Sequence, residues 1–300
     1  MMGMSHPTSP RPVTVVFSPE MAAPSECFSP SGEKPARVVE DWRAAKLPMR
    51  VVPALPATID EFALAHDRGY VEDVLALRRR NGFGNSSSAV AAALPYTTGA
   101  MLTASRLALG EGGAVCAPCS GFHHAGWAHG AGYCTFNGLV VTARAVQNEG
   151  LARRVAIVDC DQHYGDGTDA ILDRLGKPPA IRHFTAGREF HSPRQVDAFF
   201  ACLEHELAAL EGFDLVLYQA GADPHVNDPL GGWLTTEQLR ERDARVFEAV
   251  ARLGVPVVWN LAGGYQRDAN DGIGPVLEIH RNTALEHARV FGGGSAGDNR

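Results

Sequence analysis

Four consecutive apolar residues, Val155 to Val158, run directly into D-C-D-Q-H-Y-G-D-G, and this junction restricts the fold more than any other stretch of the chain. A short apolar, mostly β-branched run without polar alternation suits a strand covered on both faces, as in a parallel sheet. Asp159, Asp161 and His163 alternate with Cys160 and Gln162, so extended backbone puts all three on one side. Two carboxylates that close repel unless a cation or a shared proton lies between them, and a divalent metal is the simplest such charge. Gly165 and Gly167 permit a tight turn, and Thr168 is placed to cap the helix that follows. The metal reading then requires a further ligand from elsewhere in the chain.

The rest of the chain supplies the sheet. Strand-like runs at 13–17, 114–117, 180–183, 215–219 and 255–260 alternate with helical patterns at 35–46, 59–65, 70–80, 98–109, 139–147, 169–175, 194–210, 236–253 and 275–291. Thr58 and Thr236 read as helix caps. Such alternation predicts a parallel sheet with helices on both faces, and ligands sit at the carboxyl ends of parallel strands. Residues 1–12, rich in Pro and Ser, read as a flexible arm, 13–291 as one domain, and 292–300, G-G-G-S-A-G-D-N-R, as a disordered tail.

Charge and cysteine content narrow the partners. Lys and Arg total 27 against 34 Asp and Glu, a net charge of −7, so neither nucleic acid nor an anionic membrane surface is expected as a partner. No apolar run is long enough to span a membrane and the N-terminus lacks signal-peptide regions, which predicts a cytoplasmic protein. Six cysteines in 300 residues are too few for a disulfide scaffold, and Cys116 and Cys119, a C-x-x-C with Pro118 inside it, read as loop thiols.

The loops after the strands carry the chemistry. G-F-H-H-A, with His123 and His124, follows the run at 114–117; A-G-A-D-P-H, with Asp223, follows 215–219; A-G-G-Y, with Tyr265, follows 255–260. All reach the same crevice as Asp161 and His163, which makes Asp223 the missing ligand. An Asp, His, Asp set suits a borderline metal such as zinc with a position left open for water. Two consecutive histidines can divide proton acceptance and donation when carboxylates bias them, and Asp159 and Asp166 are placed to do so. Tyr265 can donate its hydroxyl to a carbonyl oxygen gaining charge. The sum is hydrolysis of an amide or ester.

These four motifs, with N-D-P-L-G-G-W-L-T after the third, resemble those of the histone deacetylase superfamily in order and spacing, over roughly residues 13 to 290. P-Y-T-T-G-A-M-L-T-A-S-R-L-A-L and G-G-Y-Q-R most resemble its class IV branch and bacterial relatives. The resemblance implies an arginase-like, deacetylase-like three-layer α/β/α fold with an eight-stranded, mainly parallel sheet. It implies one zinc ion on Asp161, His163 and Asp223, with potassium as a structural ion on nearby backbone. His123 and His124 become the dyad, bonded to Asp159 and Asp166 respectively, with His124 the general base, and Tyr265 polarises the acyl carbonyl. Gly132 and Tyr133 line the acyl-lysine tunnel, Gly264 joins them in binding substrate, and Arg37 lies beside an internal acetate channel. The substrate implied is an acylated lysine or a small amine such as an acetylpolyamine.

The chain also departs from the family pattern. Between the metal motif and Asp223 only A-G-R-E-F-H-S-P, residues 186–193, stands for a usually longer loop, which shortens one wall of the mouth. Tyr164 stands where a second histidine is common. His183, His191, His205 and His225 read as surface or loop-packing residues, and Phe190 as a packing residue. Two other readings compete: a dinuclear manganese ureohydrolase on the same fold, and a binding module without catalysis.

Overall fold

The computed structural model describes residues 11–293, so the expected arm and tail lie almost wholly outside the described residues. Seven strands form one parallel sheet in the order β2 (Met49–Val52), β1 (Val13–Val16), β3 (Ala114–Cys116), β7 (Val257–Asn260), β6 (Leu215–Gln219), β4 (Val155–Asp159) and β5 (Ile181–Thr185). Every residue of β3, β4, β6 and β7 is buried, so both faces of the sheet's centre are covered, as the unalternated apolar runs require.

Two helical layers provide that cover. One is built from α1 (Lys34–Ala44), α9 (Gly274–Phe291), α8 (Thr236–Leu253) and α7 (Val196–Ala208), packed in succession. The other comprises α4 (Ser88–Glu111), α5 (Gly138–Asn148) and α6 (Asp166–Arg174), with the short α2 (Ile59–Phe62) and α3 (Arg68–Leu75) beside them. At the centre of the first layer the Trp259 ring of β7 lies 5.8 Å from Trp42 and 6.1 Å from Phe247, and its indole N–H donates to His287 Nδ1 at 3.0 Å. None of the described helices is long and apolar enough to cross a membrane.

The three-layer α/β fold is the one expected, but the sheet has seven strands among the described residues and not eight. After β5 the chain turns through Ala186–Arg188 and Pro193–Gln195 straight into α7, so no strand is added outside that edge. Strand β2, absent from the sequence reading, is an edge strand with exposed central residues and lacks the apolar run that marks the others. Two caps also differ. Thr235, not Thr236, caps α8, accepting from the Gln238 N–H at 3.3 Å. Helix α6 begins at Asp166, which places Thr168 inside it, fully buried. Thr58 does cap α2, in a reciprocal box with Glu61.

The strand order decides where the functional loops meet. β3, β7, β6 and β4 are consecutive neighbours, and the segments after their carboxyl ends carry His123 and His124, Tyr265, Asp223, and Asp161 and His163 respectively. Four loops distant in sequence therefore share one crevice.

Candidate active site

Asp161, His163 and Asp223 converge, one ligand atom from each lying within 4.8 Å of the others. His163 Nδ1 is 3.3 Å from Asp161 Oδ1 and 3.1 Å from Asp223 Oδ2. Backbone holds both carboxylates in place: the Gly263 N–H donates to Asp161 Oδ2 at 2.8 Å, and the Gln162 N–H to Asp223 Oδ1 at 3.1 Å. Position 263 has no room for a side chain unless its surroundings shift, because a Cβ there would stand 2.0 Å from Asp223 Oδ2.

Burial sets the electrostatics. Desolvation, and then the charge of Asp161, push the Asp223 carboxyl up to about 7. Asp161 is held well below the usual carboxylate range, against its own desolvation, by His123 and His163. Hydrogen bonds to these two carboxylates drive His163 up to about 11, a measure of the positive charge that two buried carboxylates demand. A divalent cation fits the same requirement, and the donor set of two carboxylates and one imidazole suits zinc.

The two histidines sit beside this group with their rings 4.2 Å apart. His123 Nδ1 donates to Asp159 Oδ2 at 2.7 Å, and its Nε2 lies 3.6 Å from Asp161 Oδ1. His124 Nδ1 donates to Asp166 Oδ1, also at 2.7 Å, from a more exposed position. Each histidine thus meets its own carboxylate, and Asp159 turns to His123 and not to the group of Asp161, His163 and Asp223. Burial opposes charge on His123, but Asp159 and Asp161 outweigh it and raise its pKa to about 9. His124 moves the other way: burial and then the neighbouring His123 lower it, with Asp166 opposing.

Close packing fixes the dyad loop. A Cβ on Gly167 would meet the His124 carbonyl carbon at 2.5 Å, and the Thr168 N–H donates to the His123 carbonyl at 2.9 Å, so the start of α6 braces this loop. Asn137, which caps α5, donates its amide to Ala125 O and Thr168 Oγ1.

Tyr265 is buried, its N–H donates to Asp228 Oδ2 at 2.8 Å, and its ring lies 5.7 Å from that of Tyr133. Burial and the nearby Asp223 and Asp161 push its phenol well up, so the hydroxyl keeps its proton. Tyr265, Gly132, Tyr133, His123, His124 and Asp161 line one small cavity, and no residue from 184–193 contributes to it. The shortened segment therefore supplies none of that wall. Gly132 has φ +52°, and a Cβ there would strike His124 Cδ2 at 2.3 Å.

Two expected positions are corrected. Arg37 is exposed and lines a surface cavity with Glu33, Arg267 and Asp271, because the buried stripe of α1 is Lys34, Val38, Val39 and Trp42. The cation of α1 that does reach the interior is Lys34, fully buried, whose ammonium donates to the Ala262 carbonyl, next to Gly263. Gly264 packs against Ala222 and Val276 and does not line the cavity, whereas Gly263 does.

Sequence reasoning missed further support. Gln219, the last residue of β6, donates its amide to Asp159 Oδ1 at 2.8 Å, and its place at a strand end was the available signal. Asp228 lies within N-D-P-L and anchors Tyr265. His183, read as a surface or packing residue, has a side chain only 2% exposed and contacts carboxylates. Phe190 does pack, 5.5 Å from Phe199 and 6.2 Å from Trp233. Cys116 and Cys119 are buried, unpaired thiols, the first within β3 and the second in the loop beyond it.

Comparison with known proteins gives a consistent picture. The sequence family described as histone deacetylase domain matches residues 31–184 and 182–273. An uncharacterized protein of Picosynechococcus is 34% identical over 223 residues, covering 68% of this chain and 73% of its own length. Acetylpolyamine amidohydrolase 1 of Pseudomonas aeruginosa is 28% identical over 184 residues, covering 52% of this chain and 51% of its own. The crystal structure of an acetylpolyamine aminohydrolase from Burkholderia pseudomallei superposes with a TM-score of 0.69 at 17% identity, over 93% of this chain and 99% of that one.

Proposed function

Because the chain belongs to the histone deacetylase domain family, and is thereby a deacetylase-like amidohydrolase, we propose that it removes an acyl group, acetyl in the first instance, from a lysine side chain or a lysine-like amine. One observation carries the reading: two carboxylates and an imidazole that could hold a metal ion lie beside two histidines, each bonded to its own carboxylate at 2.7 Å. Asp161, His163 and Asp223 would hold one zinc ion. When bound, such an ion polarises a carbonyl and lowers the pKa of water to near neutrality.

The chain's own residues do the rest. His124, kept neutral by burial and by the charge on His123, accepts the proton of the attacking water at Nε2 and returns it to the leaving amine. His123, held charged by Asp159, supplies fixed positive potential beside it. Tyr265 donates its hydroxyl to the acyl oxygen as that oxygen gains negative charge. Tyr133 and Gly132 confine the amine's alkyl stem in the cavity they share with these groups. Potassium enters the proposal only as a structural ion on backbone near the metal group, and the six unpaired thiols are in keeping with a cytoplasmic setting.

A small acylated polyamine is the second substrate reading, favoured by the net charge of −7 and by the similarity to acetylpolyamine amidohydrolase 1. A dinuclear site lacks support, since the described residues hold one metal-capable group. The test is hydrolysis of acetyl-lysine peptides and of acetylpolyamines by protein stripped of metal and then restored with zinc. Turnover that returns with zinc is expected; absence of turnover of both substrates by zinc-loaded protein overturns the reading.

A further inference from the structure

We infer that His183 is a positioning residue for the dyad: an imidazole with a proton on each ring nitrogen, wedged between Asp169 and Asp159, that holds the Asp159 carboxylate in place for His123. The inference rests on the reading of His123 and His124 as the dyad.

Its geometry comes from the sheet. In the β4–β5 register Ile157 pairs with His183 and Asp159 with Thr185, so His183 projects from the same face of the sheet as Asp159, two residues back. The ring is shut away from solvent. Nδ1 lies 2.8 Å from Asp169 Oδ1, and because a carboxylate only accepts, Nδ1 carries a hydrogen. Nε2 is buried and has no hydrogen-bond partner among the described residues, and it faces Asp159 Oδ2 at 4.0 Å. That distance is too long for a hydrogen bond but within reach of a charge pair.

A neutral ring would turn the Nε2 lone pair toward a carboxylate oxygen in a dry enclosure. A ring protonated at both nitrogens instead sets positive charge against each of two carboxylates, which is the arrangement buried charges require. The oxygen it faces is the same Oδ2 that accepts from His123 Nδ1. Gly165 closes the remaining side, since a Cβ there would lie 2.8 Å from Asp159 Oδ2 and 3.2 Å from His183 Nε2.

The network continues outward. Asp169 Oδ2 accepts from the Tyr164 hydroxyl at 2.6 Å and from Arg188, whose guanidinium stacks 4.6 Å over the Tyr164 ring. Asp159 on β4 and Asp169 on α6 are thus the charged groups at His183, with Tyr164 and Arg188 behind the second. Tyr164 replaces a common histidine and Arg188 belongs to the shortened segment, so two departures from the family pattern join His183 in one connected set. Arg188, Tyr164, Asp169, His183, Asp159 and His123 link the protein surface to the dyad.

Zinc-loaded full-length protein with 15N-labelled histidine tests this directly. At about pH 7 the ring spectra of wild type should show both His183 nitrogens protonated. His183→Phe should lower kcat about 10–100-fold with KM and zinc content unchanged, and should shift the low-field proton resonance of His123 Nδ1–H. His183→Gln, which keeps an N–H near the place of Nε2 without the charge, should recover part of kcat. A neutral His183 ring without a proton on Nε2, or a folded, zinc-loaded His183→Phe protein with wild-type kcat, overturns the inference. Should the Phe variant not fold, the wild-type ring spectra and the Gln variant still decide it. Should wild type turn over no acylated amine, the proposed function falls, while the spectra continue to report on His183.

Discussion

His123 and Asp159 are 36 residues apart in the chain, yet Nδ1 of the imidazole lies 2.7 Å from Oδ2 of the carboxylate, and both side chains are almost wholly excluded from solvent. Burial penalises the charge on each, but the pair outweighs it, raising His123 to about 9 and lowering Asp159 to about 2. His124 is lowered instead, by burial first and then by the neighbouring His123, against the pull of its more exposed partner Asp166. Two adjacent histidines are thereby pushed apart in proton affinity, which is the division of labour that acid–base catalysis uses.

The pH profile should report that division. kcat/KM is expected to rise as His124 loses its proton, with the acid limb below the ordinary imidazole value of about 6.5 because its pKa is lowered. It should fall again as His123 loses its proton, below about 9, because a cation on Asp161 and Asp223 offsets part of their pull on that ring. Steady-state rates across this range check it, and an acid limb above the ordinary imidazole value would remove His124 from the role of base.

The same pair leaves a mark on stability. His123 has a folded pKa above its unfolded one, so its contribution is fully present below about 6.5 and is lost as pH rises through about 9. Metal-free protein should therefore lose part of its resistance to urea between these values, and His123→Phe should flatten that slope.

Tyr265→Phe removes a hydroxyl and little volume. kcat should fall about 10²–10³-fold, as for the loss of one oxyanion donor, with bound metal unchanged by elemental analysis. A variant that also loses its metal would assign Tyr265 a structural role.

Metal binding should depend on Gly263 as well as on the ligands. Asp161→Ala is expected to abolish zinc binding by calorimetry. Gly263→Ala, whose Cβ collides with the Asp223 carboxylate, should weaken it about 10–100-fold without touching a ligand. Wild-type affinity in the glycine variant would mean that the loop shifts freely.

Lys34 and Arg37 separate two readings of the buried cation. Lys34→Met leaves the Ala262 carbonyl without its donor and should cost about 1–3 kcal/mol in urea unfolding. Arg37→Met, at an exposed site, should change stability by less than about 0.5 kcal/mol and leave turnover intact.

Much of the site is legible in the sequence, for definable reasons. Each of the central strands is an unalternated apolar run ending in polar residues and glycines, so the strand end that carries each functional loop is visible locally. Asp161, His163, Asp223, His123, His124 and Tyr265 all sit at such ends, and a parallel sheet brings them to one crevice. Edge strand β2 escapes that reading because its exposed central residues give no such run.

What the tertiary structure alone decided is which neighbours share space. Lys34 and Arg37 are three residues apart on one helix, and only the packing of α1 buries the first and exposes the second. His183 resembles any other histidine in sequence; the β4–β5 register puts it beside Asp159, and the start of α6 brings Asp169 to its other nitrogen. Gln219 reaches Asp159 because β6 and β4 pair, with those two residues in register. Residue type and local pattern determined which groups bear the chemistry. Strand order and register, set by long-range packing, determined the carboxylate that each histidine meets.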